Sequence, residues 1–583
     1  MLYFYILIAF FSLAAWQGLK FYQNYKAAQK IGFPILASPV DKLNPFWLLT
    51  KDFLTPLLRC LPFGLGEFSQ RAYMGWNFPD FYKTHARLKS DAFTIVTPGE
   101  LEVYIADPES AEDILKRAQT DFVKSPALYD MLNLLGQNVN TTNGKTWQRH
   151  RRITAPPFNE RNSVIVWQEA LKQTREVLEF WEELGNVRTT TDDSMTLALH
   201  VLMAASLGVN YSFRESLNSK PQTTSGHTLT YRDALNTIIR NMGLAILFRM
   251  VEKLPIPNAM LPAKMKNMKL ALDEFYRYLT QMVKDERVAI ASTGNTGSNA
   301  DKANLMSVLL RSSDQAKEKA KARANLEATM GNKSPTNIAY LSDEEVYGNL
   351  FIYNAAGHDT TANTISYAVT LLAIYPEWQK WIGEEVDKVF SDGVGKDAGQ
   401  WDYEKSFPRL RKCQAIMFET LRLYSPVVSV PRYTAHSRQK LSVNGKSYDI
   451  PPRTNIFVNI AALHTNPRYW GNDALAWRPS RWITKSTSLD EDTIIEAQPP
   501  GVFIPWTSGP RVCPGKKFAQ VEFVAVLAAM MSSWRVGVVR EGAETQEQSR
   551  TRVLQIVQNS KVEFTLKMKK PNRVGLKWTR KSK

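Results

Sequence analysis

Residues 503–523 read FIPWTSGPRVCPGKKFAQVEF, a loop bounded by Gly509 and Gly515 that presents Cys513 just ahead of a helix opening at Pro514. A thiol held at a helix N-terminus is favoured as the thiolate by the helix dipole and by unpaired amides that donate to sulfur, which lowers its pKa. Glycines on both sides let the backbone approach a flat cofactor where a side chain would collide. Taken alone, the same residue reads as a small buried hydrophobe, so the rest of the chain has to decide. The other cysteines, Cys60 and Cys413, lie far away, and an odd total of 3 argues against a disulfide framework and for a reducing compartment.

The chain does not begin as a soluble protein would. Residues 2–19 (LYFYILIAFFSLAAWQGL) carry no charge and approach the length of a bilayer-spanning helix. They lack the basic start of a cleaved signal peptide, and positive charge begins only at Lys20, Lys26 and Lys30. The positive-inside rule then places the remainder in the cytosol. The sequons at Asn140, Asn210 and Asn332 are read as chance on that topology. With 73 Lys and Arg against 56 Asp and Glu the net charge is +17, and much of the excess sits in residues 567–583, read as a solvated basic tail with some attraction to membrane lipid. No zinc-finger spacing or nucleic-acid motif accompanies it, so nucleic acid is not expected as a partner.

Organisation follows from periodicity and breakers. After the anchor (1–19), Pro34 and Pro39 mark a stiff linker (20–44), and the globule runs from 45 to 583. Ala92 to Val96, Pro98-Gly99 and Leu101 to Ile105 read as a β-hairpin, with Asp107-Pro108 opening a helix. Helical periodicity dominates from Lys145 to Ile374. Residues 291–300 and the Lys- and Ala-rich run 316–327 look like a mobile surface insertion. Leu341-Ser342-Asp343-Glu344-Glu345-Val346 is a capping box, and no proline follows until Pro376, which predicts one helix long enough to cross a domain.

Four motifs occur in order. In the long helix lies Ala356-Gly357-His358-Asp359-Thr360-Thr361, where glycine and a β-branched hydroxyl residue can loosen the hydrogen-bond ladder. Glu419 and Arg422 stand at i and i+3 on one helix face. Trp477-Arg478-Pro479-Ser480-Arg481-Trp482 follows, and then the cysteine loop. Trp506, Gly509, Arg511, Cys513 and Gly515 resemble the haem-binding loop of the cytochrome P-450 superfamily, with Trp506 standing where the family usually has Phe. The other motifs resemble that family's oxygen-activation turn and its buried Glu-Arg-Arg network, here Glu419, Arg422 and Arg481, whose role is structural.

The resemblance implies a mostly α fold with a small β-rich part, a triangular helical prism preceded by a transmembrane helix, and so a single catalytic domain rather than the three or four that length alone allows. It implies haem b bound through iron to Cys513, with Trp147, Arg151, Arg432 and Arg511 on its carboxylates. Asp359 would relay protons and Thr360 would hold bound oxygen species. The implied activity is insertion of one atom of O2 into a lipophilic small molecule, with electrons from NADPH-cytochrome P-450 reductase at the endoplasmic reticulum membrane. Lys516, Lys517, Arg149, Arg152, Arg409, Arg411 and Lys412 could steer that acidic partner. Leu128 to Asn138, the start of the oxygen motif, Val427 to Val430 and Gln555 to Val557 are candidate pocket walls. The style of the chain is similar to fungal microsomal members of secondary metabolism, acting on terpenoids, polyketides or alkaloids. Fatty-acid or sterol hydroxylation, a non-catalytic haem binder and a reductase-independent isomerase are the alternatives.

Overall fold

The computed structural model describes residues 2–217, 226–244, 248, 257, 260–292, 304–329, 340–391, 401–485, 492–494 and 499–581. Its axis is the helix Asp343–Ile374, 32 residues long and buried over most of its length. A helix apolar on all sides must be covered on all sides. The helices Thr190–Leu207, Arg411–Leu423 and Lys516–Ser533 pack against it, and Glu160–Leu184 lies against the first and last of these. The expected capping box is formed: Ser342 Oγ accepts from the Glu345 amide at 3.1 Å, and Glu345 Oε2 accepts from the Ser342 amide at 2.9 Å. Leu341 and Val346 share the same apolar cluster.

A sheet of six strands forms the β-rich side, in the order 35–37, 92–96, 101–105, 454–458, 430–434, 122–123. The expected hairpin is formed, with Ala92 opposite Ile105. Asp107 caps the helix Pro108–Lys116 through the Ser110 amide, at 2.8 Å. The partner of Leu101–Ile105 on its other side is Thr454–Val458, parallel and some 350 residues away in the chain.

Three expectations are revised. The run 316–327 lies inside a helix, Leu305–Thr329, as its Ala, Lys and Glu content favours; residues 293–303, with most of the Gly- and Ser-rich stretch, lie outside the described residues. The C-terminal region is no solvated tail: strands Leu566–Met568 and Leu576–Arg580 pair with Ser560–Val562 and Trp534–Val538, and Arg580 and Lys581 bond Glu182 and Asp387. Finally, the first helix runs on to Ile31. Its last turns dock on the hairpin, with Ala28 buried beside Val96 and Leu101 and Asn24 Nδ2 on the Thr97 carbonyl at 2.9 Å. Ile35–Ala37 then joins the sheet, so much of the segment expected as a linker is regular structure.

Candidate active site

One cavity of about 1560 Å³ gathers the expected catalytic and haem-binding residues except Asp359. Cys513, Trp506, Arg511 and Gly515 line it from the loop, Trp147 and Arg151 from the helix Gly144–Thr154, Arg432 from the strand Val430–Thr434, and Ala356, Gly357, Thr360, Thr361 and Thr364 from the long helix. The cysteine is fixed by its backbone, whose amide donates to the Trp506 carbonyl at 3.0 Å. Its side chain is open to the cavity. Depth in the molecule raises the thiol pKa, and the Gly515 amide and the Arg151 charge oppose this without reversing it. The lowered thiol expected from the helix dipole is thus not what the protein groups alone produce. The helix itself starts at Lys516, after a turn through Pro514 and Gly515.

Gly509 serves a different purpose from the one expected. Its φ is +69°, and a Cβ there would sit 2.6 Å from the Leu115 carbonyl oxygen, so glycine lets the loop press on the end of the helix Pro108–Lys116.

The oxygen motif is also more regular than its composition suggests. The long helix is unbroken through Gly357, and the Thr360 hydroxyl bonds back to the Ala356 carbonyl at 2.8 Å. Asp359 is wholly buried and is absent from the cavity walls; its Oδ2 accepts from the Thr565 hydroxyl, which does line the cavity. His358 is buried with neither ring nitrogen bonded, and burial lowers its pKa to about 4.

At another wall the cavity is strongly cationic. Arg432 is 1% exposed and its Nε has no partner; Arg511 leaves Nε and Nη1 without partners while Nη2 holds the Thr142 carbonyl at 2.8 Å. Burial and the charge of Arg432 bring Arg511 down to about 9. Lys124, which the sequence did not single out, joins them: burial and both guanidiniums push it well down, and its Nζ lies 3.9 Å from the Tyr129 ring centre. Arg151 acts elsewhere, its charge bearing on Cys513 and Tyr353. Buried donors without an acidic partner are a site for an anion.

Below the loop, Glu419 receives Arg422 Nε and Nη2 at 2.8 Å each, Arg481 Nε at 2.9 Å and Trp482 Nε1 at 2.9 Å. Burial works to raise its pKa, but the two arginines and the Arg478 amide hold it below the usual range. The network also clamps the carbonyls of His464 and Ala476 through Arg422, and His464 Nε2 accepts from the Ile504 amide at 3.0 Å, ahead of the cysteine loop. Two expected details shift. The C-terminal cavity wall is Gln558 to Thr565, with Val557 in the core instead. Arg149 is engaged inward by Glu345 at 2.5 Å and leaves the set of steering charges, and Lys517 approaches Glu160 at 3.7 Å.

The family model for cytochrome P-450 matches residues 64–564. A cytochrome P-450 monooxygenase of Arthrobotrys oligospora is 28% identical over 94% of this chain and 93% of its own. One from Penicillium roqueforti is 28% identical over 89% and 88%. The phomenoic acid biosynthesis cluster cytochrome P-450 monooxygenase of Leptosphaeria maculans is 28% identical over 93% and 92%. The chain belongs to the cytochrome P-450 family and is a haem b-binding monooxygenase, an oxidoreductase.

Proposed function

We propose that Cys513 is the iron ligand of haem b, that Arg432, Arg511 and Lys124 receive its carboxylates, and that the enzyme oxidises a lipophilic intermediate of secondary metabolism. The single observation that carries the reading is the meeting, in one cavity, of a cysteine open to it with Arg432 and Arg511, whose buried guanidinium nitrogens lack partners, and with Lys124, whose Nζ donates to Asn140 Oδ1 at 2.8 Å. These residues fit haem: two negative carboxylates satisfy the orphaned guanidinium nitrogens, and a metal cation reverses the raised thiol pKa. Trp147, beneath Arg511 with the guanidinium 4.6 Å from its ring centre, completes that wall, and Arg151 stands nearer Cys513.

When bound, haem supplies binding and activation of O2 with two electrons delivered singly. The chain's part is to hold, orient and protonate. Trp506 and Gly509 fix the cysteine loop. Thr360 faces the cavity from the long helix, and Asp359, one residue away, is the acid through which protons are passed. The walls that remain for substrate are largely apolar: Leu128, Met131, Leu132, Leu202, Ile352, Val427 and Val430.

Electrons come from NADPH-cytochrome P-450 reductase, and the enzyme sits in the endoplasmic reticulum membrane with a single span and its catalytic part in the cytosol. The uncharged first turns of the helix Leu2–Ile31 and the outward Phe46, Leu49, Phe53 and Leu57 of the helix Pro45–Arg59 support the membrane site. The Leptosphaeria maculans relative, named for a phomenoic acid biosynthesis cluster, supports the metabolic role. The test is the ferrous–CO spectrum: wild type gives the red-shifted band of thiolate ligation, and Cys513→Ser and Cys513→Ala lose it. A variant spectrum equal to wild type removes Cys513 from the iron. For the substrate, metabolites gained and lost on expressing the chain with its reductase identify the class.

A further inference from the structure

Asp359 and the cavity are separated by one hydroxyl. The carboxyl is fully buried and does not line the cavity, whereas Thr565 both lines it and donates to Asp359 Oδ2. Thr565 stands in the turn between strands Ser560–Val562 and Leu566–Met568, so it comes from the far end of the chain and not from the helix that carries the acid. A second side chain of the long helix fixes it. Asn363 Nδ2 donates to Thr565 Oγ1 at 3.1 Å, and also to the Asp359 carbonyl at 2.8 Å. By contrast, the hydroxyl next in sequence to the acid, Thr360, has its hydrogen on the Ala356 carbonyl.

From this arrangement we infer that Thr565 is the group through which Asp359 passes protons into the cavity, with Asn363 as its positioning residue. The inference rests on the proposed reaction and adds a residue to it. A threonine oxygen has two acceptor sites and one hydrogen. With Asp359 protonated, the acid O–H and the Asn363 amide fill both acceptor sites, which leaves the Thr565 hydrogen to point into the cavity. Thr565 then gives that hydrogen to an acceptor in the cavity while taking the proton of Asp359. One proton leaves the acid, one arrives in the cavity, and threonine keeps one hydrogen, now turned to Asp359 Oδ2 as the structure has it, so rotation of the hydroxyl resets the relay. Asp359 Oδ1, buried and without a protein partner, is the oxygen left open to receive the next proton.

The test compares Thr565→Val, which keeps the shape and loses the hydroxyl, with Thr565→Ser, which keeps the hydroxyl, in the full-length haem-loaded protein with reductase and NADPH and no added substrate. Each is first required to give the wild-type ferrous–CO band; wild type failing that defeats the iron-site reading and not this one. With the band intact, Thr565→Val raises the ratio of hydrogen peroxide released to water formed by about tenfold, and its solvent isotope effect on NADPH oxidation departs from wild type. Thr565→Ser restores both. A second readout needs no turnover: in the resting protein, the infrared carboxyl band assigned by its loss in Asp359→Asn shifts in Thr565→Val and returns in Thr565→Ser. If Thr565→Val does not fold, Asn363→Leu replaces it, and the same rise is expected there. An unchanged peroxide ratio and isotope effect in a folded Thr565→Val, or in its replacement, overturns the inference.

Discussion

Glu419 is the residue on which the cysteine loop's setting depends, because its carboxylate is the common acceptor for Arg422, Arg481 and Trp482 in a site with no water access. Glu419→Ala leaves the buried Arg422 guanidinium without its anion and Arg481 with Asp473 alone, and loss of one partner of a buried pair costs roughly 3–5 kcal/mol. The expected outcome is that much loss in urea unfolding, with the ferrous–CO band weakened through the displaced loop. The pairing was legible from spacing alone for Glu419 and Arg422. Lys124 was not: in Phe122-Val123-Lys124-Ser125-Pro126 nothing distinguishes it from a surface lysine at the end of a strand. Its importance appears only when Arg432 and Arg511, both distant in sequence, enclose it. If Lys124 receives a haem carboxylate as proposed, Lys124→Met removes one charge-assisted bond, a contact of about 1.5–3 kcal/mol. Haem loss to an excess of a haem-free acceptor globin is expected to quicken by about tenfold, with the CO band position unchanged.

The long helix was the most legible element, since a capping box, an apolar run and a distant proline bound it without reference to anything else. What the sequence could not give is how its first turn is tied down. Glu345 serves three neighbours at once: the Ser342 amide, Arg149, and His150 Nε2 at 3.2 Å. Burial would raise the Glu345 carboxyl, but His150, the Ser342 amide and Arg149 together pull it down to about 2. The helix start is thereby locked to Gly144–Thr154, the helix that carries Trp147 and Arg151, so a cap becomes part of the active site's frame. Ser342→Ala removes only the hydroxyl half of the box and is expected to lower stability by about 1 kcal/mol with haem binding unchanged. Glu345→Gln also weakens the tie to Arg149 and His150, and its loss is expected to exceed that of Ser342→Ala in the same denaturation series. The helix Leu305–Thr329 teaches the opposite lesson. Its Lys- and Ala-rich second half has few apolar positions, which reads as a mobile insertion, yet those same residues are strong helix formers and extend the buried first turns around Leu309 and Leu310.

At the scale of the molecule, what escaped the sequence is long-range pairing. No local signal brings Leu101–Ile105 beside Thr454–Val458, or sets Thr565 on Asp359, because these contacts are fixed by the packing of helices between them. The same packing buries histidines from separate parts of the chain. His85 and His358 are brought down to about 4, and His200 and His464 to about 3, burial being the first cause in each. An unfolded histidine titrates near 6.5, so between that pH and the folded values the unfolded chain binds protons that the folded chain refuses. The stability these residues contribute is therefore complete above pH 6.5 and is lost as pH falls toward 4. Each contributes a slope of about 1 kcal/mol per pH unit in that window. In denaturation of the haem-loaded enzyme from pH 6.5 to 5.0 the histidines' fall is opposed by Glu100, Glu385 and Glu522, whose carboxyls burial raises to about 8, to about 7 and well up, so the histidine share is read from a variant's slope against wild type. His85→Gln is expected to lower the wild-type slope by one histidine's share. A slope in His85→Gln equal to that of wild type would mean that this imidazole reaches solvent, and that the core around it is looser than its packing implies.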